Sequence, residues 1–190
     1  MSIQENKERF LKICRENIKR EGVENLIEWL EKSDFFVAPA SNRYHLCYEG
    51  GLLEHSLNVY DQLCFAIDAY SELALGGKKP TEETITIIAL FHDLCKANMY
   101  VPVERNRKVD GKWEKYIGYD IKEKFAFGGH GCKSVFIINN FIKLECDEAV
   151  AINCHMGAFD NERVGNSYIQ FPLAWLLHIA DEAASYLIEK

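Results

Sequence analysis

The chain has 190 residues, 48% of them hydrophobic and 12% aromatic, which is enough for one domain with a sizeable core and too apolar for a disordered segment. Its 22 Lys plus Arg against 29 Asp plus Glu give a formal net charge of -7, an average field that repels a long phosphate backbone and counts against duplex DNA as a partner. Seven cysteines, at Cys14, Cys47, Cys64, Cys95, Cys132, Cys146 and Cys154, are odd in number and hold no Cys-x-x-Cys pair, so they read as reduced thiols of a cytoplasmic protein and do not indicate zinc-finger chemistry.

The N-terminus places Lys7, Arg9 and Lys12 among polar residues instead of before an apolar signal core. No stretch reaches the apolar length that spans a bilayer, so a cytoplasmic location without a membrane partner is expected. Ser2-Ile3-Gln4-Glu5 has the form of a capping box, and Phe10, Leu11, Cys14 and Ile18 repeat at helical spacing, which predicts a first helix to about Lys19. Gly22 breaks it, and Val23, Leu26, Ile27 and Leu30 mark a short second helix ending near Ser33. Residues 34–51, with Pro39, Ser41, Asn42 and Gly50-Gly51, read as an irregular connection anchored by Phe35, Phe36 and Tyr44. From Leu52 to about Leu75 nothing interrupts a helical pattern, and His55 lies on its first turns. After the turn Gly76 to Pro80, Thr81 caps a helix with Glu82 and Glu83 in its first turn; Ile85, Ile87, Ile88, Ala89 and Phe91 make it apolar nearly all round. Such a helix must be central, and it delivers His92 and Asp93.

Alternation of Val101, Val103, Val109, Trp113, Ile117 and Ile121 about Asp110-Gly111 predicts a two-stranded hairpin. Gly128-Gly129-His130-Gly131 opens the next helix, and a shorter one from about Asp147 runs to His155, with Gly157 suited to its C-terminal cap. A polar loop over 159–170 then leads to Pro172, which starts the last helix, bearing His178 and Asp181 three apart on one face. No repeat or linker divides the chain. The expectation is one all-α domain over residues 1–190, of about seven helices, with a small β-hairpin excursion around 100–127.

The six histidines, His45, His55, His92, His130, His155 and His178, mostly fall at or near ends of these helices, a placement that permits convergence. His92 and Lys96 are four apart and Asp93 and Lys96 three apart, so one helix end can present an imidazole, a carboxylate and an ammonium to a common space. Imidazole with carboxylate suits a borderline divalent ion that activates water, and the ammonium suits a phosphate oxygen.

The order His55, then His92-Asp93, then Asp181 resembles the His, His-Asp, Asp signature of the HD superfamily of metal-dependent phosphohydrolases. The contexts Gly50-Gly51-Leu52-Leu53-Glu54-His55-Ser56-Leu57, Phe91-His92-Asp93-Leu94-Cys95-Lys96 and His178-Ile179-Ala180-Asp181 extend the resemblance over residues 50–187, leaving 1–49 as N-terminal helices and connection outside it. It implies an all-helical domain in which His55, His92, Asp93 and Asp181 bind a metal and activated water attacks a phosphoester. The subgroup with two metals adds two histidines between the central pair and the final Asp, a part of the order that His130 and His155 occupy, with Asp93 as the bridging carboxylate. Many relatives place a glycine before the lysine, where this chain has Cys95; Lys96 itself is kept.

Plainer accounts exist for each residue. His130 can be a loop histidine beside glycines, His155 a histidine at a helix C-terminus, and His178 either the residue that orients Asp181 or a packing neighbour. His45 and Asp160 are candidate substrate contacts, against readings as an ordinary loop histidine and a turn-stabilising carboxylate. The leading expectation is a metal-dependent phosphohydrolase of a phosphomonoester or phosphodiester, acting on a nucleotide or another small phosphorylated molecule. Its cofactor would be one or two divalent ions of Mn, Fe, Co, Ni or Zn, with Asp93 and Lys96 as catalytic groups and Lys96 also contacting substrate. Three alternatives stand beside it: a 3'-5' exoribonuclease-like phosphodiesterase with single-stranded RNA as partner, a non-catalytic sensor using the same metal pocket, and a purely structural helical protein, which would hold no metal.

Overall fold

A computed structural model describes residues 2–123, 125, 127–159 and 163–189. Among these the chain forms eight α-helices and one antiparallel hairpin, the all-α class expected. Helices α1 (Ile3–Asn17) and α2 (Val23–Lys32) come first, and α1 opens on the capping box: Glu5 N donates to Ser2 Oγ and Ser2 N to the Glu5 carboxylate. Phe35 and Phe36 of the connection that follows pack against Phe10, with ring centroids at 5.4 and 5.6 Å. Tyr44, expected to anchor that connection too, is 81% exposed. Its backbone neighbours tie the loop down instead, since Ala40 N donates to Leu46 O and Ser41 Oγ to His45 O.

The long helix α3 (Gly51–Leu75) begins where that loop crosses it, and a Cβ on Gly51 would stand 2.1 Å from Leu46 O. Only a glycine admits the crossing, which sets His45 beside His55. Helix α4 (Glu82–Phe91), capped by the Thr81 hydroxyl, has every residue from Ile85 to Phe91 buried, Thr86 included, as an apolar circumference requires. It packs on α1, α3 and α6.

Strands β1 (Tyr100–Val109) and β2 (Lys112–Ile121) pair from Tyr100↔Ile121 to Val109↔Lys112. The turn uses positive φ at both Asp110 (49°) and Gly111 (83°), the backbone that matches strand twist. Helices α5 (His130–Asn139) and α6 (Cys146–Cys154) follow. The stretch expected to be a polar loop to residue 170 contains a further helix, α7 (Val164–Gln170). Short, with Gly165 and Ser167 inside it, α7 is a helix by packing and not by propensity: it lies on α8 and buries Val164. Helix α8 (Pro172–Ala183) continues into a π turn over Ala184–Ile188.

One buried apolar cluster runs through the molecule, including Phe10 and Leu30 from the N-terminal helices, Leu53 and Leu57 of α3, Phe91 of α4, and Leu176 and Ala184 at the end of the chain. Arg20 forks onto the fully buried Glu148 of α6 at 2.5 and 2.6 Å, and Glu148 also accepts from Thr84 of α4 at 2.9 Å, so the N-terminal helices are tied to the core by charge as well as by packing. No helix of the described residues is long and apolar enough to cross a membrane.

Candidate metal centre

Two helices of the core end in the same way. The last carbonyls of an α-helix have no partner within it, and at the end of α4 the His92 Nδ1 hydrogen goes back to Ala89 O at 2.8 Å. At the end of α6 the His155 Nδ1 hydrogen goes to Ile152 O at 2.7 Å. A carbonyl only accepts, so Nδ1 carries a proton in each ring, and in the neutral ring the Nε2 lone pair is left facing inward. Both rings are wholly buried, 4.9 Å apart between centroids.

Asp93 lies between them because the chain leaves helical geometry there. Its φ of -104° and ψ of 23° are those of the sparsely used bridge region, and a 3-10 turn, Leu94–Lys96, follows. The turn needs no glycine at the position before the lysine: among the described residues the non-glycine positive φ values belong to Leu46, Asn98 and Asp110, not to Cys95. Asp93 Oδ2 accepts from Lys96 Nζ at 2.5 Å and lies 3.5 Å from His92 Nε2, and Oδ1 lies 3.5 Å from His155 Nε2. Among the described residues His155 Nε2 has no hydrogen-bond partner, an orphaned buried polar atom.

From α3, His55 brings its Nε2 to 3.2 Å from His92 Nε2, 3.2 Å from Asp181 Oδ1 and 3.6 Å from Asp93 Oδ2. The overlapping sets His55, His92, Asp181 and His92, Asp93, His155 each place one donor atom per residue within 4.8 Å of the others, close enough to hold a metal ion. A third such set, His45, His55 and Glu189, sits on the far side of the His55 ring.

The electrostatics match this crowding of lone pairs. Burial works to raise the pKa of Asp93, but Lys96 and His92 outweigh it and hold the carboxyl well below the usual range. Burial likewise opposes ionisation of Asp181, and His55 overrides it. Lys96 stays an ammonium because Asp93 more than offsets its burial. For His55, burial favours the neutral ring, yet hydrogen bonds to Asp181 and Glu189 raise it to about 9. His155 is also raised, against burial, by Asp93, whereas burial lowers His92. Three carboxylates, those of Asp93, Asp181 and Glu189, thus face one ammonium, leaving an excess of negative charge that a proton on His55 or a bound cation relieves.

The other sequence candidates separate. His130 is the first residue of α5, and its Nδ1 meets the buried Cys95 thiol at 3.5 Å, outside the three sets. Burial pushes that thiol up to about 12, so in the absence of a metal it is a neutral thiol at neutral pH. His178 donates from Nδ1 to His155 O at 2.7 Å and stacks on Tyr168, whose hydroxyl bonds Cys154 O. It therefore satisfies the carbonyl end of α6 and positions His155; Gly157 is required beside it, with φ 62° and a Cβ that would fall 2.7 Å from the His178 ring. His45 Nε2 is buried and without a hydrogen bond, 3.8 Å from Glu189 Oε2. Asp160 lies outside the described residues.

Sequence reasoning missed Glu189 and Tyr168. Tyr168 lay in the stretch read as loop, and nothing local distinguishes Glu189 from any acidic residue near the end of a helix.

No family model matches the chain, and no solved structure matches it. Over 84 residues, 44% of its length, the chain is 35% identical to a dihydroneopterin 2',3'-cyclic phosphate phosphodiesterase of Methanocaldococcus jannaschii. The match spans 31% of that relative, so the chain covers about a third of the protein it resembles. A curated phosphodiesterase is thus a distant homologue of a chain whose buried histidines and aspartates fit a metal site.

Proposed function

We propose that the chain is a metal-dependent phosphohydrolase of the HD type, acting on a phosphodiester of a small molecule, with His55, His92, Asp93, His155 and Asp181 as ion ligands. One observation carries this reading: the Nε2 lone pairs of His92 and His155, aimed by carbonyls of their own helices, face the carboxylate oxygens of Asp93 with no donor between them and His155 Nε2. Acceptors packed against acceptors in a buried space call for a cation.

A divalent ion held there supplies Lewis acidity, acidifying water and offsetting phosphoryl charge. The protein's own groups do the rest. Asp93, kept anionic by Lys96 and His92, orients the attacking water by accepting its hydrogen. Lys96 has three N–H donors; one goes to Asp93, and the others are available to a phosphate oxygen as negative charge builds on it. Imidazole and carboxylate together suit Mn, Fe, Co, Ni or Zn. His130 is the remaining candidate for a second ion, and metal stoichiometry in His130→Ala decides it: a fall from two ions to one assigns it as a ligand. The position of His45 behind His55 favours support of Glu189 over substrate contact.

The phosphodiester is preferred to the monoester because the distant homologue is a cyclic phosphate phosphodiesterase. The test is chelator-stripped protein reloaded with each metal and assayed on a chromogenic diester, 2',3'-cyclic nucleotides, nucleoside monophosphates and a labelled oligonucleotide. Metal-dependent diester cleavage is expected. A product ladder from the oligonucleotide would favour the exoribonuclease reading, ligand binding without turnover would favour the sensor, and failure to take up any metal would sink the proposal.

A further inference from the structure

Two carboxylates from the last helical stretch clamp the buried ring of His55 from opposite sides. Asp181 Oδ1 lies 3.2 Å from Nε2, and both oxygens of Glu189 lie 3.1 Å from Nδ1. Residues seven apart share a face of an ordinary α-helix, and these two are eight apart. The π turn over Ala184–Ile188, closed by Glu189 N donating to Ala184 O at 3.0 Å, supplies the extra residue and returns position 189 to the face that carries Asp181. Glu189 is itself fixed, since Asn58 Nδ2, one turn after His55 on α3, donates to its Oε1 at 2.9 Å. It is 8% exposed, which for a carboxylate near a chain end demands a partner of this kind.

We propose that Glu189 is the positioning residue of His55: by accepting the Nδ1 hydrogen it sets the ring orientation and leaves Nε2 free to face Asp93, His92 and Asp181. Carboxylates that hold the far nitrogen of a metal-binding imidazole typically contribute about 10- to 100-fold in metal affinity. The inference rests on the proposed metal site and adds to it a residue that makes no contact with the ion. Loss of this hydrogen bond lets the ring rotate about its side-chain torsions and take the other tautomer, which points a proton into the site.

The test is Mn2+ binding to chelator-stripped protein, read as free Mn2+ by electron paramagnetic resonance, for wild type, Glu189→Gln, Glu189→Ala, His55→Ala and the double variant H55A/E189A. Glu189→Ala is expected to weaken Mn2+ binding by about 10- to 100-fold. Glu189→Gln, which keeps an acceptor but not the charge, is expected to weaken it less, and it serves as the variant of unchanged shape if the alanine protein folds poorly. In the His55→Ala background, Glu189→Ala should add less than about twofold, because the route from Glu189 to the ion has been removed. Equal affinity in wild type and both Glu189 variants overturns the inference, and so does a full additional loss in the double variant, which marks a purely structural role. Wild type that binds no Mn2+ brings down the metal reading itself, a result told apart from the others without any variant.

Discussion

Lys96 and Tyr100 stand four residues apart, yet the regions they belong to follow opposite rules. On one side, Asp93 and Lys96 are 3% and 8% exposed, charged groups set in an apolar core. On the other, the hairpin leaves Trp113 at 73% and Ile117 at 58% exposure, apolar groups turned to water. In the centre, order comes from side chains that hold one another, so each polar atom is costly, and all but a few, such as His155 Nε2, have a partner. In the hairpin, order comes from backbone pairing along the full length of both strands, and single side chains carry little. Composition by itself would rank these regions the other way round.

That contrast predicts how substitutions divide. The largest effect is expected from Asp93→Ala, which removes a ligand shared by the proposed ion and leaves Lys96 buried without a counter-charge. Diester hydrolysis should fall by more than about 100-fold, metal content should drop, and chemical denaturation should show a loss of about 3–5 kcal/mol. Retention of both metal and activity would remove the centre from the reaction. Next comes Lys96→Met in stripped protein, with a similar order of destabilisation, about 3 kcal/mol, because Asp93 then lacks its ammonium. Saturating Mn2+ should restore most of it, as the cation takes over the charge of Lys96; unfolding midpoints that ignore Mn2+ would contradict this.

A pH effect should follow. In stripped protein, His55 is raised to about 9 from an unfolded value of about 6.5, so its contribution to stability is complete below the unfolded value and fades as pH rises towards 9. Asp93 and Asp181 are depressed, so theirs is present above about 4 and fades only in acid. Thermal midpoints from pH 5 to 9 should decline on the alkaline side, and Mn2+, which displaces the His55 proton, should flatten that decline. A midpoint that climbs over this range without metal would reverse the sign assigned to His55. The smallest effect is expected from Trp113→Ala, within about 0.5 kcal/mol in stability. Metal affinity should not change. A tenfold loss of activity in that variant would erase the contrast, because it would place the hairpin on the substrate.

Much of the fold was legible because its causes are local. The Ser2 capping box, the apolar circumference of residues 85–91, the Asp110-Gly111 turn and Pro172 at a helix start each depend on neighbours within a turn or two. Helix α7 was not legible, since its residues favour a loop and only the surface of α8 makes them a helix. Tyr44 misled because an aromatic residue predicts burial only on average, and here the loop backbone does the anchoring.

The site divides along the same line. The order His55, His92-Asp93, Asp181 was in the sequence, and so was the placement of histidines at helix ends that permits convergence; the structure brings those four together with His155 and leaves His130 against Cys95. Caps, turns and periodicity act over a few residues, so the helical framework and the chemical types delivered at the helix ends follow from the linear order alone. It took the packed fold to show that Glu189 meets His55 across a separation of 134 residues, that His178 serves a carbonyl instead of Asp181, and that Lys96 neutralises Asp93 inside the core. Those outcomes depend on which faces pack and on how a buried charge finds its partner, and a linear chain does not display either.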